Sequence, residues 1–435
     1  MTMFIIEVAY LPEGFGNAEA DPRYNRRLCP KYRFNKFEFR SLRILSLCSG
    51  CPGYGLGALL TVVHLWGVGM SDLATHAKLA RSNAQLPVHV YFDETLLQRE
   101  MQQLFQAGPR YVGHALMVPE TGDFATLASE NEGRMLVRNA NGIEVLSNVC
   151  RHRQALMFNG RGNANHIVCP LHRWTYDLKG ELIGAPHFPE TPCLNLSKTP
   201  LQSWNGLLFE QNGYNVMEKL KDLSVSKDLD FSGYMFDHVE IHECDYNWKT
   251  FIEVYLEDYH VEPFHPGLGS FVSCDDLRWE FGKDYSVQTV GVHRGLQQAG
   301  SPAYKKWQEQ VLQFRGGEVP PYGAIWLTLY PNIMVEWYPH VLIVSTLWPD
   351  GPQKTRNVVE FYYPEEIVLF ERDFVEAERA AYMETCVEDD EIALRMDAGR
   401  KALMARGENE VGPYQSPMED GMQHFHEWYR NNIEL

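Results

Sequence analysis

The sequence is poor in cysteine and in positive charge for its length. Nine cysteines, an odd number, are spread over 435 residues. This scarcity argues against a secreted, disulfide-held scaffold and favours a reducing compartment, the cytoplasm, with a metal site. The 39 Lys and Arg residues are outnumbered by 57 Asp and Glu residues, which gives a formal net charge of −18. Such an acidic chain repels nucleic acid and anionic membrane surfaces, so neither is an expected partner.

Long apolar runs and nucleotide-binding motifs are also scarce. The run at 54–70 is apolar apart from His64, but it is glycine-rich and at the short end for a membrane span. The chain has no GxGxxG or flavin motif, so it has no evident means of taking electrons from NAD(P)H itself.

Residues 1–70 differ in composition from the rest of the chain. Up to residue 69 there are eight Lys and Arg residues against five Asp and Glu residues. Three interpretations stay open: a mis-assigned start with the true start at Met70, a real N-terminal extension, or a membrane anchor. The pair Cys48 and Cys51 lacks a second pair nearby, so it is weak evidence for redox or metal chemistry. Residues 71–110 form a helical lead-in, with amphipathic helices predicted at 72–83 and 93–104.

The most informative motif pairs cysteine with histidine twice. Cys150 and His152 form one arm, and Cys169 and His172 form a second arm sixteen residues further on. Two such arms facing each other can hold two irons, with both thiolates on one iron and both neutral imidazoles on the other. Cys2His2 also suits zinc, but zinc fingers usually place like ligands together, whereas the order here alternates. The motif therefore predicts a [2Fe–2S] cluster.

A second box, NWKTFIEVYLEDYHVEPFHP at 247–266, contains two histidines five residues apart. A helix from about residue 246 would place Glu253, Glu257 and His260 on one face. Pro263 would end that helix and free His265 to turn back toward the same point. With one carboxylate, two such histidines make the facial triad of non-haem Fe(II) oxygenases. The alternative is a solvated acidic helix with incidental histidines.

The two cysteine–histidine boxes, CRHR at 150–153 and CPLHRWTYDLKGEL at 169–182, resemble the cluster-binding boxes of Rieske oxygenases. With the histidine box, residues 72–434 resemble the alpha subunit of Rieske non-haem iron oxygenases, such as aromatic-ring-hydroxylating dioxygenases and choline and carnitine monooxygenases. Gln154 and Arg173 stand where that family often has glycine. Neither supplies a ligand, so only the local loop shape is in question.

The resemblance also implies roles for the second box. His260 and His265 would bind the mononuclear Fe(II), and Glu257 would bridge to the cluster of a neighbouring subunit. The third iron ligand is expected in CVEDDEIALRMDAGRKAL at 386–403, at the start of a C-terminal helix. Alignment by eye favours Asp390 with Asp389 as the alternative, since physical reasoning cannot choose between adjacent aspartates.

The predicted fold is α+β. A small all-β Rieske [2Fe–2S] domain is expected at 111–212, and a catalytic mononuclear-iron domain at 213–435. The resemblance implies a helix-grip catalytic domain, with an antiparallel sheet around a long helix. Strand-like runs at 324–329, 333–337, 341–348 and 357–363 precede a predicted long helix at 364–383.

The resemblance implies a terminal oxygenase. It would hydroxylate, dihydroxylate or oxidatively demethylate a small organic molecule, using O2 and electrons from a separate NAD(P)H reductase, with or without a ferredoxin. A homotrimer packed head to tail is implied as well. Aromatic residues that could line the substrate site are Tyr322, Trp326, Tyr330, Trp337, Tyr338 and Trp348. The alternative is a Rieske-type electron carrier, which would need neither the second box nor the residues beyond it.

Overall fold

The structure is a computed structural model that describes residues 84–435. The predictions for the extension at 1–70, for Cys48 and Cys51, and for the helix at 72–83 lie outside the described residues. Among residues 84–435, no helix combines the length and the apolar character that crossing a bilayer requires.

The lead-in packs on the larger, C-terminal part of the chain. Helix α1, Glu94–Glu100, begins at Asp93, whose side chain accepts hydrogen bonds from two backbone N–H groups of the first turn. A π-helical turn, Met101–Gln106, continues it, close to the predicted helix at 93–104. Buried Glu100 lies 2.7 Å from Nζ of buried Lys249 in the larger part. This contact anchors the lead-in on that part of the chain.

The small β-domain consists of short antiparallel strands. They are β1 Tyr111–His114, β2 Asp123–Thr126, β3 Arg134–Asn139, β4 Gly142–Ser147, β5 Arg161–Asn163, β6 Ile167–Val168, β7 Thr175–Tyr176, β8 Leu182–Gly184, β9 Lys198–Thr199, β10 Leu201–Trp204 and β11 Leu207–Glu210. Three sheets form, in the orders β5-β2-β3-β4-β9, β6-β7-β8 and β1-β11-β10. The first cysteine–histidine arm follows β4, and the second arm connects β6 to β7.

The larger part is built on a seven-stranded antiparallel sheet. After α2, Val216–Lys219, its strands are β12 Tyr234–Cys244, β13 Val272–Phe281, β14 Tyr285–Val292, β15 Ala324–Leu329, β16 Ile333–Tyr338, β17 Val341–Gly351 and β18 Lys354–Pro364. Their order in the sheet is β12-β18-β17-β16-β15-β14-β13. The helices are α3 Trp248–Tyr255, α4 Val261–Phe264, α5 Leu268–Phe271, α6 Pro302–Phe314, α7 Glu365–Phe370, α8 Arg372–Ala405 and α9 Asp420–Asn432.

Helix α8 lies across one face of this sheet. Phe374, Ala377 and Ala381 of the helix share a buried core with Ile343 and Phe361 of the strands. The predicted helix at 364–383 is instead two helices with a break at Glu371, and the second of them continues to Ala405. The segment expected to begin a C-terminal helix therefore lies in the middle of α8. Its residues are mostly strong helix formers without proline, so nothing local interrupts them.

Candidate metal sites and cavity

The two cysteine–histidine arms have the same backbone turn although one is CxH and the other CxxH. In each arm, the residue four after the cysteine donates its backbone N–H to the cysteine carbonyl. The distances are 3.0 Å from Gln154 to Cys150 and 3.1 Å from Arg173 to Cys169. These turns bring both thiols into the buried core of the small domain.

The turns require a left-handed backbone at their fourth residues. Gln154 has φ of 54° and Arg173 has φ of 60°, a region in which glycine is free of the steric cost that other residues meet. This gives a physical reason for the glycine that the resembled family often has at these two positions. The departures change the local strain and leave the ligand positions intact.

We expect Gln154→Gly and Arg173→Gly each to raise the free energy of unfolding by up to about 1 kcal/mol, because glycine relieves the left-handed strain. The measurement is the midpoint of thermal unfolding, followed by the visible absorbance of the cluster. Arg153→Gly is the matched control: its φ is not positive, so the added chain entropy should lower the midpoint. A lower midpoint in either of the first two variants would contradict the strain argument.

The histidines of the two arms lie side by side near the surface. The His152 and His172 rings are 4.7 Å apart between centroids, and His152 stacks on Trp174 at 4.9 Å. Nδ1 of His152 is buried without a hydrogen-bond partner, which is costly unless the atom binds something. The two thiols lie in the core and the two imidazoles lie nearer the surface, and one imidazole nitrogen has no hydrogen-bond partner. This arrangement fits a Rieske cluster.

The second box folds differently from the predicted single helix. Helix α3 ends at Tyr255, and His260 precedes a separate short helix, α4, which contains Pro263 rather than ending before it. Glu253 therefore does not share a face with His260. Its carboxylate lies 2.5 Å from Arg400 and 2.8 Å from Nε2 of His426, so it belongs to a buried structural ion-pair network.

Three side chains converge at the end of this box and the middle of α8. Nε2 of His260 lies 3.4 Å from Oδ1 of Asp389, and Nε2 of His265 lies 2.9 Å from the same oxygen. The three ligand atoms lie within 4.8 Å of one another. Two imidazoles and one carboxylate with open space beside them fit the facial triad of a non-haem Fe(II) site.

The carboxylate at this point is that of Asp389, whereas Asp390, the residue favoured from the sequence, does not face the histidines. Successive residues of an α-helix point about 100° apart, so only one of two adjacent aspartates can face the histidines. Asp390 turns toward β12 and its Oδ1 accepts a hydrogen bond of 2.6 Å from the hydroxyl of Tyr246.

Two further carboxylates lie close to the outer nitrogens of the histidines. Nδ1 of His260 lies 2.5 Å from Oε1 of Glu257, and Nδ1 of His265 lies 2.7 Å from Oε2 of Glu388. Burial alone would lower the pKa of His260, but Asp389 and Glu257 more than offset it and raise the pKa to about 10. The site thus has a negative field directed at the imidazoles, which favours a bound cation. The role predicted for Glu257 from the sequence, a bridge to a neighbouring subunit, stays a prediction, and sequence analysis assigned no role to Glu388.

Glu388 is expected to orient His265 for metal binding. Glu388→Gln should weaken the affinity for Fe(II) by about 10- to 100-fold, because the outer carboxylate fixes the ring and makes its other nitrogen more basic. The measurement is competitive metal binding against a chelator, with cluster absorbance as an internal reference. Glu391→Gln, an exposed substitution on the same helix, is the matched control. Equal affinities in the two variants would remove Glu388 from this role.

A cavity of about 80 Å³ opens beside the triad, between α8 and the sheet. Of the six aromatic residues predicted for the substrate site, Trp326 and Tyr338 line it and the others do not. Five further aromatic residues in its wall, which the sequence did not single out, are Phe251, Tyr255, Tyr304, Trp307 and Tyr382. The cavity is therefore largely apolar, as small-molecule sites usually are.

Acidic side chains interrupt this aromatic wall. Glu336 of β16 and Glu378 of α8 are 2% and 1% exposed, and both line the cavity. Burial raises the pKa of Glu336 to about 7 and that of Glu378 to about 8. Asp258 lines the cavity as well, and its buried Oδ2 has no hydrogen-bond partner.

Comparisons with known families agree with this arrangement of two metal sites. A family model described as the Rieske [2Fe-2S] domain matches residues 109–199, and one described as the ring hydroxylating alpha subunit (catalytic domain) matches residues 231–435. The fold is that of the quaternary ammonium Rieske monooxygenase CntA in complex with an inhibitor, with a TM-score of 0.65. The match has 20% sequence identity and covers 81% of this chain and 96% of that one. Together these define the class, a Rieske non-haem iron oxygenase.

Closer relatives place the chain within that class. It is 73% identical over 361 residues to the putrescine 2-hydroxylase of Ralstonia nicotianae, a match that covers 83% of this chain and 99% of the relative. It is 59% identical over 376 residues to the putrescine 2-hydroxylase of Bordetella bronchiseptica, covering 83% and 87%. The chain belongs to the Rieske non-haem iron oxygenase alpha subunits. The predicted family, fold class and terminal oxygenase function are confirmed, against the alternative of an electron carrier.

Proposed function

We propose that this oxygenase hydroxylates putrescine, 1,4-diaminobutane, at C2. The observation that carries the proposal is the 73% identity across nearly the whole of a putrescine 2-hydroxylase. The cavity supports it, since buried carboxylates suit a dication and aromatic walls suit its methylene groups. Addition of one hydroxyl group makes the reaction a monooxygenation rather than a dioxygenation or demethylation.

The proposed residues follow from the two sites. Cys150, His152, Cys169 and His172 hold the [2Fe–2S] cluster. His260 and His265 hold Fe(II) with Asp389 in place of Asp390. When bound, the cluster would supply one-electron delivery and the Fe(II) would supply O2 activation.

The chain's own residues arrange this chemistry. Glu257 and Glu388 orient the two imidazoles, as their short contacts with the outer nitrogens suggest. The aromatic wall limits water beside the triad and positions the methylene chain against the open side of the metal site.

The electron source and assembly are further parts of the proposal. Rieske oxygenase alpha subunits work with separate electron-transfer partners, and we infer an NAD(P)H reductase, with or without a ferredoxin. We also infer a cytoplasmic homotrimer, in which each cluster faces the neighbour's iron. The Rieske domain would span 111–212 and the catalytic domain 213–435.

The test is turnover by the purified oxygenase with a surrogate reductase, NADH and O2. Putrescine should yield a mono-hydroxylated diamine whose oxygen comes from labelled O2, with NADH consumption coupled to product. Choline, L-carnitine and an aromatic acid are the comparison molecules, and His260→Ala is the inactive control. Coupled turnover of one of those three, without product from putrescine, would refute the proposed substrate.

A further inference from the structure

The carboxylates of Glu336 and Glu378 lack the cationic partners that two other buried acids, Glu100 and Glu253, have. Glu100 is paired with Lys249, and Glu253 is paired with Arg400. Within residues 84–435, no Lys, Arg or His nitrogen lies within 4.0 Å of Glu336 or Glu378. A buried carboxylate without a cation is costly in its charged form. A cationic ligand in the cavity would therefore stabilise the charged form of both carboxylates.

Tyrosine hydroxyls fix the position of the Glu336 carboxylate. Tyr338 donates to Oε2 at 3.0 Å and Tyr382 to Oε1 at 3.4 Å. Nε1 of Trp326 in turn donates to the Tyr338 hydroxyl at 2.9 Å. Glu336 and Tyr338 are two apart on β16 and therefore point to the same face of the sheet, and Trp326 is the residue paired with Glu336 on β15. The carboxylate is thus preorganised rather than mobile.

Glu336 and the triad line the same cavity, and the carboxylates of Glu336 and Asp389 are near enough to repel each other. An extended 1,4-diamine has five bonds of about 1.5 Å between its nitrogens, so it spans roughly 6 Å. A molecule of this length with its C2 beside the triad directs its remote nitrogen along the cavity toward Glu336.

The acidic groups are also found at both ends of the cavity. Asp258, close in sequence to His260, contributes a buried oxygen without a partner near the triad. Glu378 lies beyond Glu336 and is near enough for the two carboxylates to repel each other. This distribution matches a molecule with a positive charge at each end.

We propose that Glu336, with Glu378 behind it, binds the ammonium group remote from the hydroxylated carbon and sets the preference for a diamine over a monoamine. This inference rests on the proposed function. It assigns Glu336 as a specificity-determining residue. The Glu378 carboxylate accepts a hydrogen bond from the hydroxyl of Tyr363, and it adds negative potential at that end of the cavity once a cationic ligand stabilises its charged form.

The experiment compares two ligands that differ at one end, putrescine and 1-aminobutane. Their dissociation constants are measured by calorimetry on the metal-loaded oxygenase, without turnover. Glu336→Gln should weaken putrescine binding by about 100-fold, because a buried ion pair is lost. The same variant should change 1-aminobutane binding only slightly. Glu376→Gln, the same chemical change at an exposed position of α8 outside the cavity, is the matched control and should leave both constants unchanged.

A second variant keeps the inference testable if Glu336→Gln does not fold. Glu336→Asp retains the charge but withdraws it by one methylene group, so the preference should shift from 1,4-diaminobutane toward 1,5-diaminopentane. Cluster absorbance and iron content verify that each variant is intact.

The possible outcomes separate this inference from the proposed function. If wild-type protein hydroxylates putrescine but Glu336→Gln keeps the wild-type preference over 1-aminobutane, Glu336 is not the recognition residue. An unchanged chain-length preference in Glu336→Asp would overturn the inference equally. If wild-type protein neither binds nor hydroxylates putrescine, the proposed substrate fails first, whatever the variants do.

Discussion

Asp389→Ala should lose the mononuclear iron and all detectable turnover, while its cluster spectrum stays intact. Oδ1 of Asp389 is the one carboxylate oxygen close to both Nε2 atoms among the described residues. Without it, two neutral imidazoles are left as the only ligands, which is a weak site for Fe(II). Iron content should fall from about three atoms per chain to about two, since the cluster keeps its own pair.

The neighbouring aspartate provides the control for this experiment. Asp390→Ala should keep both the iron and turnover, because Asp390 bonds to Tyr246 and not to the histidines. Asp390→Asn preserves an acceptor for the buried Tyr246 and serves if the alanine variant is unstable. Loss of iron in Asp390→Asn together with retention in Asp389→Ala would reverse the assignment made from the structure.

Glu257→Gln should keep both metal sites and the oligomer but slow electron delivery to the mononuclear iron by orders of magnitude. In the proposed trimer, the Glu257 carboxylate lies between its own His260 and the partner subunit's His172. An ionised carboxylate can accept a charge-assisted hydrogen bond from each ring, whereas glutamine offers only one acceptor atom and no charge. His172 is exposed on its loop, as this arrangement requires.

The measurement is a single-turnover experiment in which the reduced cluster is mixed with O2 and putrescine. The rate of cluster reoxidation reports electron transfer directly, and iron content and sedimentation report the integrity of the sites and the trimer. Glu262→Gln, an exposed neighbour in α4, is the control with the same chemical change. Reoxidation of Glu257→Gln at the wild-type rate would exclude the carboxylate from the electron path.

The sequence alone could predict those features that depend on local spacing along the chain. The type and order of the ligands in the two arms at Cys150 and Cys169 are enough to predict a cluster. The apolar run at 324–329 coincides with β15, Ala324–Leu329, because a fully buried strand shows its limits through continuous hydrophobicity. The α+β class follows from the succession of such runs.

The sequence could not predict which side chains of a helix face the metal site. Asp389 and Asp390 are equivalent in sequence, and only the packing of α8 against the histidines decides which one faces them. The single helix predicted through Glu253 and His260 was wrong for a related reason. The segment after Tyr255 gives up helical hydrogen bonds so that His260 can reach Asp389, a tertiary gain that local patterns do not contain.

Glu336 was missed although the sequence holds a signal for it. In IMVEWY it is a charged residue within an otherwise apolar strand. Acidic residues are almost never fully buried without a partner, so a charge in this context suggests either an edge position or a functional site. Distinguishing these needs the sheet order, in which β16 is the central strand.

The continuity of α8 has a consequence for how selectivity can change. Glu378 and Asp389 are eleven residues apart, close to three complete turns, so they share a face at a separation of roughly 16 Å. Insertion or deletion of one residue between them would turn one of the two away from the cavity by about 100°. The helix is thus a rigid spacer of fixed length. Adaptation to longer or shorter amines has to come from substitutions on the opposing strands.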